Sequence, residues 1–161
     1  MNLSASMLAD HRTRALLGAL SCLIVEVTEE TLVRHGGAFE RVTGDLRERG
    51  LRIAVDDVGA GYSGLGQLAT LRPTYVKLDR GLVRHIDREP ARVALVRALT
   101  DYARGTGGLL VAEGVETVEE LAHVRAAGAP LVQGFLLARP VAPWPAFDGQ
   151  ALRHPPVALA G

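Results

Sequence analysis

Hydrophobic positions along the chain fall into two alternating kinds. Short continuous apolar runs at 23–27, 51–55, 75–78, 109–112 and 131–135 read as β-strands. Between them, apolar residues recur three and four positions apart. Phe39, Val42 and Leu46 form the stripe of an amphipathic helix, and Gly50 ends it. A short helix is expected over 65–71, closed by Pro73. Pro90 suits the first position of a long helix over 91–104, which Gly105 terminates. Thr117-Val-Glu-Glu120 has the form of a capping box and opens a helix to Ala127, with Gly128 beyond it. Before the first of these strands, Met7, Leu8, Leu16, Leu17 and Leu20 predict a helix or helix pair over 4–20. From Arg139 onward Pro140, Pro143, Pro145, Pro155 and Pro156 predict an irregular tail.

Strands separated by helices imply parallel βα units. The strand runs are continuously apolar, as expected when both faces of a sheet are covered. A closed barrel and an open doubly wound sheet both satisfy this pattern. The length of 161 residues and a hydrophobic share of 48% suit one domain with a real core. Lys plus Arg equals Asp plus Glu at 18 each, so no broad basic surface for a nucleic-acid polymer is expected. Aromatic residues make up 4%, which also argues against base-stacking platforms. Cys22 is the only cysteine, so no internal disulfide forms, and it reads as a small core residue. The N-terminus lacks a charged-then-apolar leader pattern, and the apolar stretch at 131–138 is too short to span a bilayer and contains Gln133. A cytoplasmic domain without membrane insertion is expected.

The polar residues at the ends of the runs carry the chemistry. Glu26 ends the first, Asp56 and Asp57 the second, Lys77 and Asp79 the third; Glu113 and Glu116 follow the fourth, and Gln133 interrupts the last. In parallel βα folds the carboxyl ends of the strands open on one face, where active sites lie. A rim of acids, one lysine and one amide describes a metal-assisted hydrolase, in which the acids hold a cation and the lysine steers a water. Adjacent strand residues point to opposite faces, so Asp56 and Asp57 share a site only if the backbone turns there. Plainer roles exist for several of these residues. Glu116 can simply precede the cap at Thr117, Asp79 can cap a helix over 81–86, and Glu29 and Glu30 suit a first helical turn. The histidines His11, His35, His85, His123 and His154 show no close ligand pair, which argues against zinc.

Gly59-Ala-Gly61-Tyr-Ser-Gly64 matches G-x-G-x-x-G after a strand, with Asp79 placed 20 residues beyond Gly59, the spacing of a dinucleotide-binding fingerprint. Against that reading, Asp56 and Asp57 stand before the first glycine, where they repel a pyrophosphate, and Pro73 follows too soon for a crossover helix. A response-regulator receiver shares the acids and lysine but lacks this glycine loop.

The ordered set Asn2-Leu-Ser4, Val25-Glu-Val-Thr-Glu29, Asp56-Asp-Val-Gly-Ala-Gly-Tyr-Ser63, Val76-Lys-Leu-Asp79, Ala112-Glu-Gly-Val-Glu-Thr117 and Gln133-Gly-Phe135 resembles EAL domains, bacterial phosphodiesterases of cyclic di-GMP. The resemblance covers residues 1–140, leaving 141–161 as a proline-rich tail. It implies an α/β fold, a modified (β/α)8 TIM-type barrel, with hydrolysis of cyclic di-GMP to linear pGpG. By resemblance, Asn2, Glu26, Asp56 and Asp57 bind Mg2+ or Mn2+. Lys77 contacts the attacking water, Glu113 holds metal-bound water, and Gln133 completes the site. Asp79 is assigned to the substrate. Glu116 is assigned to bracing the glycine loop of Gly59, Gly61, Tyr62 and Ser63, through which family members couple homodimerisation to activity.

The chain departs from the family at its start. The Glu-x-Leu segment that names these domains, with its metal-binding Glu, has no counterpart, and a closed barrel of this type takes about 250 residues. The expected fold is therefore an incomplete barrel of about six of eight strands, lacking the first two, with open edges near Asn2 and Gln133 and lowered stability. Val58 and Gly64 replace the usual Phe and Ser. Met1 stands where Val is usual, consistent with a gene start placed too late or a fragment. The expected function is a phosphodiesterase domain of weak or no activity alone. A silent EAL relic that binds nucleotide or a protein partner is the alternative, and a dinucleotide-binding oxidoreductase domain is a distant third.

Overall fold

The computed structural model of the protein describes residues 24–48, 50–61 and 65–139. Asn2, Tyr62, Ser63, Cys22, the helix expected over 4–20, the strand expected near Asn2 and the tail lie outside the described residues.

The described elements alternate along the chain. Strand β1 (Ile24–Thr28) leads directly into helix α1 (Glu29–Glu48), followed by β2 (Arg52–Val58), α2 (Leu65–Leu71), β3 (Tyr75–Leu78) and a single turn α3 (Arg80–Val83). A 3-10 turn (Ile86–Arg88), α4 (Pro90–Gly105), β4 (Leu109–Ala112), α5 (Val118–Ala126) and β5 (Leu131–Val132) complete the order.

All five described strands lie in one sheet in sequence order, each parallel to the next. A doubly wound sheet reverses its strand order at a switch point, whereas the wall of a (β/α)8 barrel does not. The described sheet is thus an arc of a barrel wall. The register sets Thr28 beside Asp56, Ala54 beside Tyr75 and Lys77 beside Val111.

Burial alternates in β1, β3 and β4, while β2 buries Ile53, Ala54 and Val55 in succession. Val25, Val27, Val76, Leu78, Leu110 and Ala112 are buried, with Leu68, Val83, Ile86, Val96, Leu99 and Val124 contributing to the same core from the connections. The alternate positions Ile24, Glu26, Thr28, Tyr75, Lys77 and Val111 are only half-buried. The continuous apolar runs therefore do not mean two equally covered faces. The face bearing Glu26 and Lys77 is the polar, partly open one.

Two strands differ from their apolar runs. The second extends three residues past Val55 through a register shift at 55–58, because Asp57 adopts φ 58° and adds an irregular residue to the strand. The last stops at Val132. Gly134 lies so close to the Val115 backbone that a Cβ would overlap it, and the chain turns through Phe135–Leu137 instead. No helix among the described residues is long and apolar enough to cross a membrane.

Candidate active site

Lys77 stands at the centre of the polar rim. Its Nζ lies 3.3 Å from Glu26 Oε1, 3.0 Å from Asp56 Oδ2 and 2.9 Å from Glu113 Oε1. The four residues come from β1, β2, β3 and the residue after β4, so adjacent strands each contribute one charge. Lys77 is also the only lysine in the chain; the other cationic side chains are arginines. Its single compact ammonium, on a flexible stem, can meet three separate carboxylates where a planar guanidinium fork suits one. Burial on its own would lower the Lys77 pKa, but the adjacent carboxylates of Glu113 and Asp56 outweigh it and raise the value above the ordinary one. The ammonium stays charged and acts as a donor.

Glu113 has the opposite problem. Burial raises its carboxyl pKa, Lys77 works against that rise, and Asp56 and Glu26 add to it. Its Oε1 sits at ion-pair distance from Nζ yet off the line of a good hydrogen bond, and it is a buried oxygen without a hydrogen-bond partner. An oxygen left so is costly unless it meets a further donor or a cation.

Asp57, exposed beside Asp56, takes a left-handed backbone, which Asp tolerates better than most residues. Its pKa is raised by burial first, then by Asp56 and Asp79, with Lys77 opposing. The adjacent acids thus share one electrostatic environment, which a regular strand would have prevented. Asp79 is fixed by two bonds: its N–H donates to Val58 O at 3.0 Å, and its Oδ1 accepts the Gly81 N–H at 2.7 Å as the cap of α3. Gln133 is held by its backbone, the N–H to Ala112 O at 2.8 Å and the carbonyl accepting from Val115 N–H at 3.1 Å.

The described part of the glycine loop, Gly59 to Gly61, has its own acidic partner. Among the described residues Glu29 Oε2 accepts the Gly59 N–H at 3.0 Å. Glu116, the residue expected to brace the loop, pairs with Arg80 at 2.9 Å, while Tyr62 and Ser63 lie outside the described residues. Glu29 is buried at 2% exposure, so its place in the first turn of α1 is more than a favourable charge at a helix start. The signal available was its position three residues after Glu26, with α1 following β1 without a loop. Gly59 (φ 98°) and Gly61 (φ 112°) take conformations that favour glycine, and a Cβ at Gly59 would overlap the Leu82 side chain.

The donor chemistry suits a hard divalent cation. Glu26, Asp56, Asp57 and Glu113 offer only carboxylate oxygens, and Glu113 Oε1, though ion-paired with Lys77, makes no hydrogen bond. Among the described residues no three acids, histidines or cysteines close to metal-ligand spacing, since Lys77 occupies the middle of the group. Asn2, the remaining expected ligand, lies outside the described residues.

The sequence matches the EAL domain family over residues 1–140. It is 38% identical over 124 residues to the cyclic di-GMP phosphodiesterase PA2567 of Pseudomonas aeruginosa, covering 77% of this chain and 21% of that protein. It is 36% identical over 149 residues to the cyclic di-GMP phosphodiesterase PdeR of Escherichia coli, covering 88% of this chain and 22% of the relative. The fold resembles Klebsiella pneumoniae BlrP1 in its calcium and cyclic di-GMP complex, with TM-score 0.80, 35% identity, and coverage of 86% of this chain and 38% of that one. A manganese complex of BlrP1 matches equally, also at TM-score 0.80 and 35% identity, covering 87% of this chain and 38% of that one. The chain thus spans about a fifth of the curated relatives named.

Proposed function

We propose, from the premise that the chain belongs to the EAL domain family, that it is the major part of a metal-assisted cyclic di-GMP phosphodiesterase site, converting the cyclic dinucleotide to linear pGpG. The observation that carries this is the convergence of Glu26, Asp56 and Glu113, from β1, β2 and the residue after β4, on the one lysine. Calcium and manganese complexes of a relative with the same dinucleotide support a divalent cation, and Mg2+ or Mn2+ is the proposed working metal. Glu26, Asp56 and Asp57 would hold it, with Asn2. When bound, such a cation polarises the phosphodiester and lowers the pKa of water.

The protein's own groups do the rest. Lys77 remains an ammonium and donates toward a water or a phosphate oxygen. It also keeps three carboxylates from repelling one another before substrate arrives. Glu113 Oε1, ion-paired with Lys77 but without a hydrogen bond, would serve as acceptor for a water proton. Asp79 and Gln133, fixed at the ends of β3 and β5, would contact the substrate in this reading. A homodimer through the glycine loop, a cytoplasmic location and a division into a catalytic part at 1–140 and a tail at 141–161 belong to the same reading.

The test is incubation of the chain with cyclic di-GMP and Mn2+ or Mg2+, with chromatography for pGpG. Turnover abolished by Glu26→Ala and by Lys77→Ala is expected. A silent relic is the second reading, favoured by the central Lys77 and the lack of a closed metal-ligand trio among the described residues. Binding of cyclic di-GMP without any pGpG would establish it in place of the first.

A further inference from the structure

One side chain outside the rim holds two segments that carry rim residues. Glu120, in the first turn of α5, is 3% exposed. Its Oε2 accepts the N–H groups of Glu116 at 2.9 Å and Thr117 at 3.2 Å, and its Oε1 accepts the N–H of His85 at 3.1 Å. The Thr117 bond, with the return bond from Glu120 N–H to Thr117 Oγ1 at 3.1 Å, is a capping box. A capping box requires no more than that pair. The bonds to Glu116 and His85 go beyond it, and His85 belongs to a separate segment, the turn after α3, with its backbone left-handed at φ 58°.

Both strapped segments carry site residues. The loop 113–117 bears Glu113 at one end and Glu116 near the other, where it pairs with Arg80. The same loop seats the Gln133 segment: Val115 N–H donates to Gln133 O, Leu136 N–H donates to Val115 O at 3.1 Å, and Gly134 packs on the Val115 backbone. The α3 segment bears Asp79 and Arg80. Movement of loop 113–117 therefore displaces Glu113 from Lys77 and shifts Gln133 with it.

We propose that Glu120 is a positioning residue of this site, its carboxylate strapping the loop 113–117 to the α3 turn and so fixing Glu113 against Lys77. The role needs a carboxylate. Both oxygens accept from N–H donors, whereas a glutamine would turn an NH2 group onto one of them. The kinetic consequence rests on the phosphodiesterase reading, but the geometric one does not.

Lys77, the only lysine, gives a direct probe. Acylation of the full chain with acetic anhydride, in chelator and read by peptide mass spectrometry, reports on Lys77 apart from the α-amino group. In Glu120→Gln, Lys77 is expected to acylate about tenfold faster, because one arm of the strap is lost. If the wild type turns over cyclic di-GMP, kcat falls about tenfold with KM within about twofold. Thr117→Ala, which weakens only the cap, lowers the melting temperature and leaves the Lys77 rate at the wild-type value. Wild-type acylation of Lys77 in Glu120→Gln would overturn the proposal. A faster Lys77 without wild-type turnover would uphold the strap and sink the phosphodiesterase reading instead. If Glu120→Gln does not fold, hydrogen exchange on the unmodified chain decides. The amides of His85, Glu116 and Thr117 must open together, and independent exchange would overturn the strap.

Discussion

Glu113 and Glu120 lie on the two sides of one loop and are set back from solvent, yet their carboxyl groups are shifted in opposite directions. Glu113 is pushed up, burial outweighing its single ammonium partner, with Asp56 and Glu26 adding repulsion. Glu120 is pulled down, although burial works to raise it, because three backbone N–H groups from Glu116, His85 and Thr117 converge on it. Burial of a carboxylate does not by itself set its state; the number and direction of donors does. One region is a charge cluster whose groups are only partly satisfied, as chemistry requires. The other is a closed hydrogen-bond knot, as support requires.

Removing the cation breaks the first region most severely. Lys77→Ala leaves three neighbouring carboxylates without a counter-charge, and a loss of about 3 kcal/mol at neutral pH in chelator is expected, together with all turnover. A urea unfolding curve measures it; an unchanged midpoint would contradict the central place given to Lys77. Breaking the second region costs slightly less. Glu120→Ala strands three N–H groups, and about 2 kcal/mol of lost stability is expected from the same curve. Gly59→Ala acts on the glycine loop. It forces an L side chain into a left-handed backbone against Leu82, and a cost of about 1–2 kcal/mol is expected, with faster exchange at the Gly59 amide that Glu29 holds.

The smallest effect sharpens the contrast through pH. Glu120, with its folded pKa depressed, gives stability that is complete above about 4.3, the ordinary glutamate value, and lost as pH falls through its lower folded value. Glu113, with its folded pKa raised, gives stability that is complete below about 4.3 and lost as pH rises through its folded value. Thermal melts in chelator should show Glu113→Gln gaining on the wild type between pH 4 and pH 7. The deficit of Glu120→Gln should shrink as pH falls below 4. Parallel melting curves for both variants would remove the distinction.

Much of this was legible in the sequence. The helices over 65–71 and beginning at Pro90 and the capping box at Thr117 and Glu120 have local causes, a proline, a glycine or a paired hydroxyl and carboxylate, and all appear. The gathering of Glu26, Asp56, Lys77 and Glu113 follows from strand ends opening on one face. The rest depended on contacts between distant segments. The bond from Glu29 to Gly59 spans 30 residues and that from Glu120 to His85 spans 35, and no periodicity announces either. The early end of β5 arises likewise from the closeness of Gly134 to Val115, a packing constraint with no local signature.

The most direct measurement of the central claim is turnover of cyclic di-GMP by the chain and by its Lys77→Ala variant, side by side with Mn2+. The account predicts metal-dependent pGpG, even if slow, from the first and none from the second. No pGpG from the unmodified chain, or equal amounts from both, would contradict it.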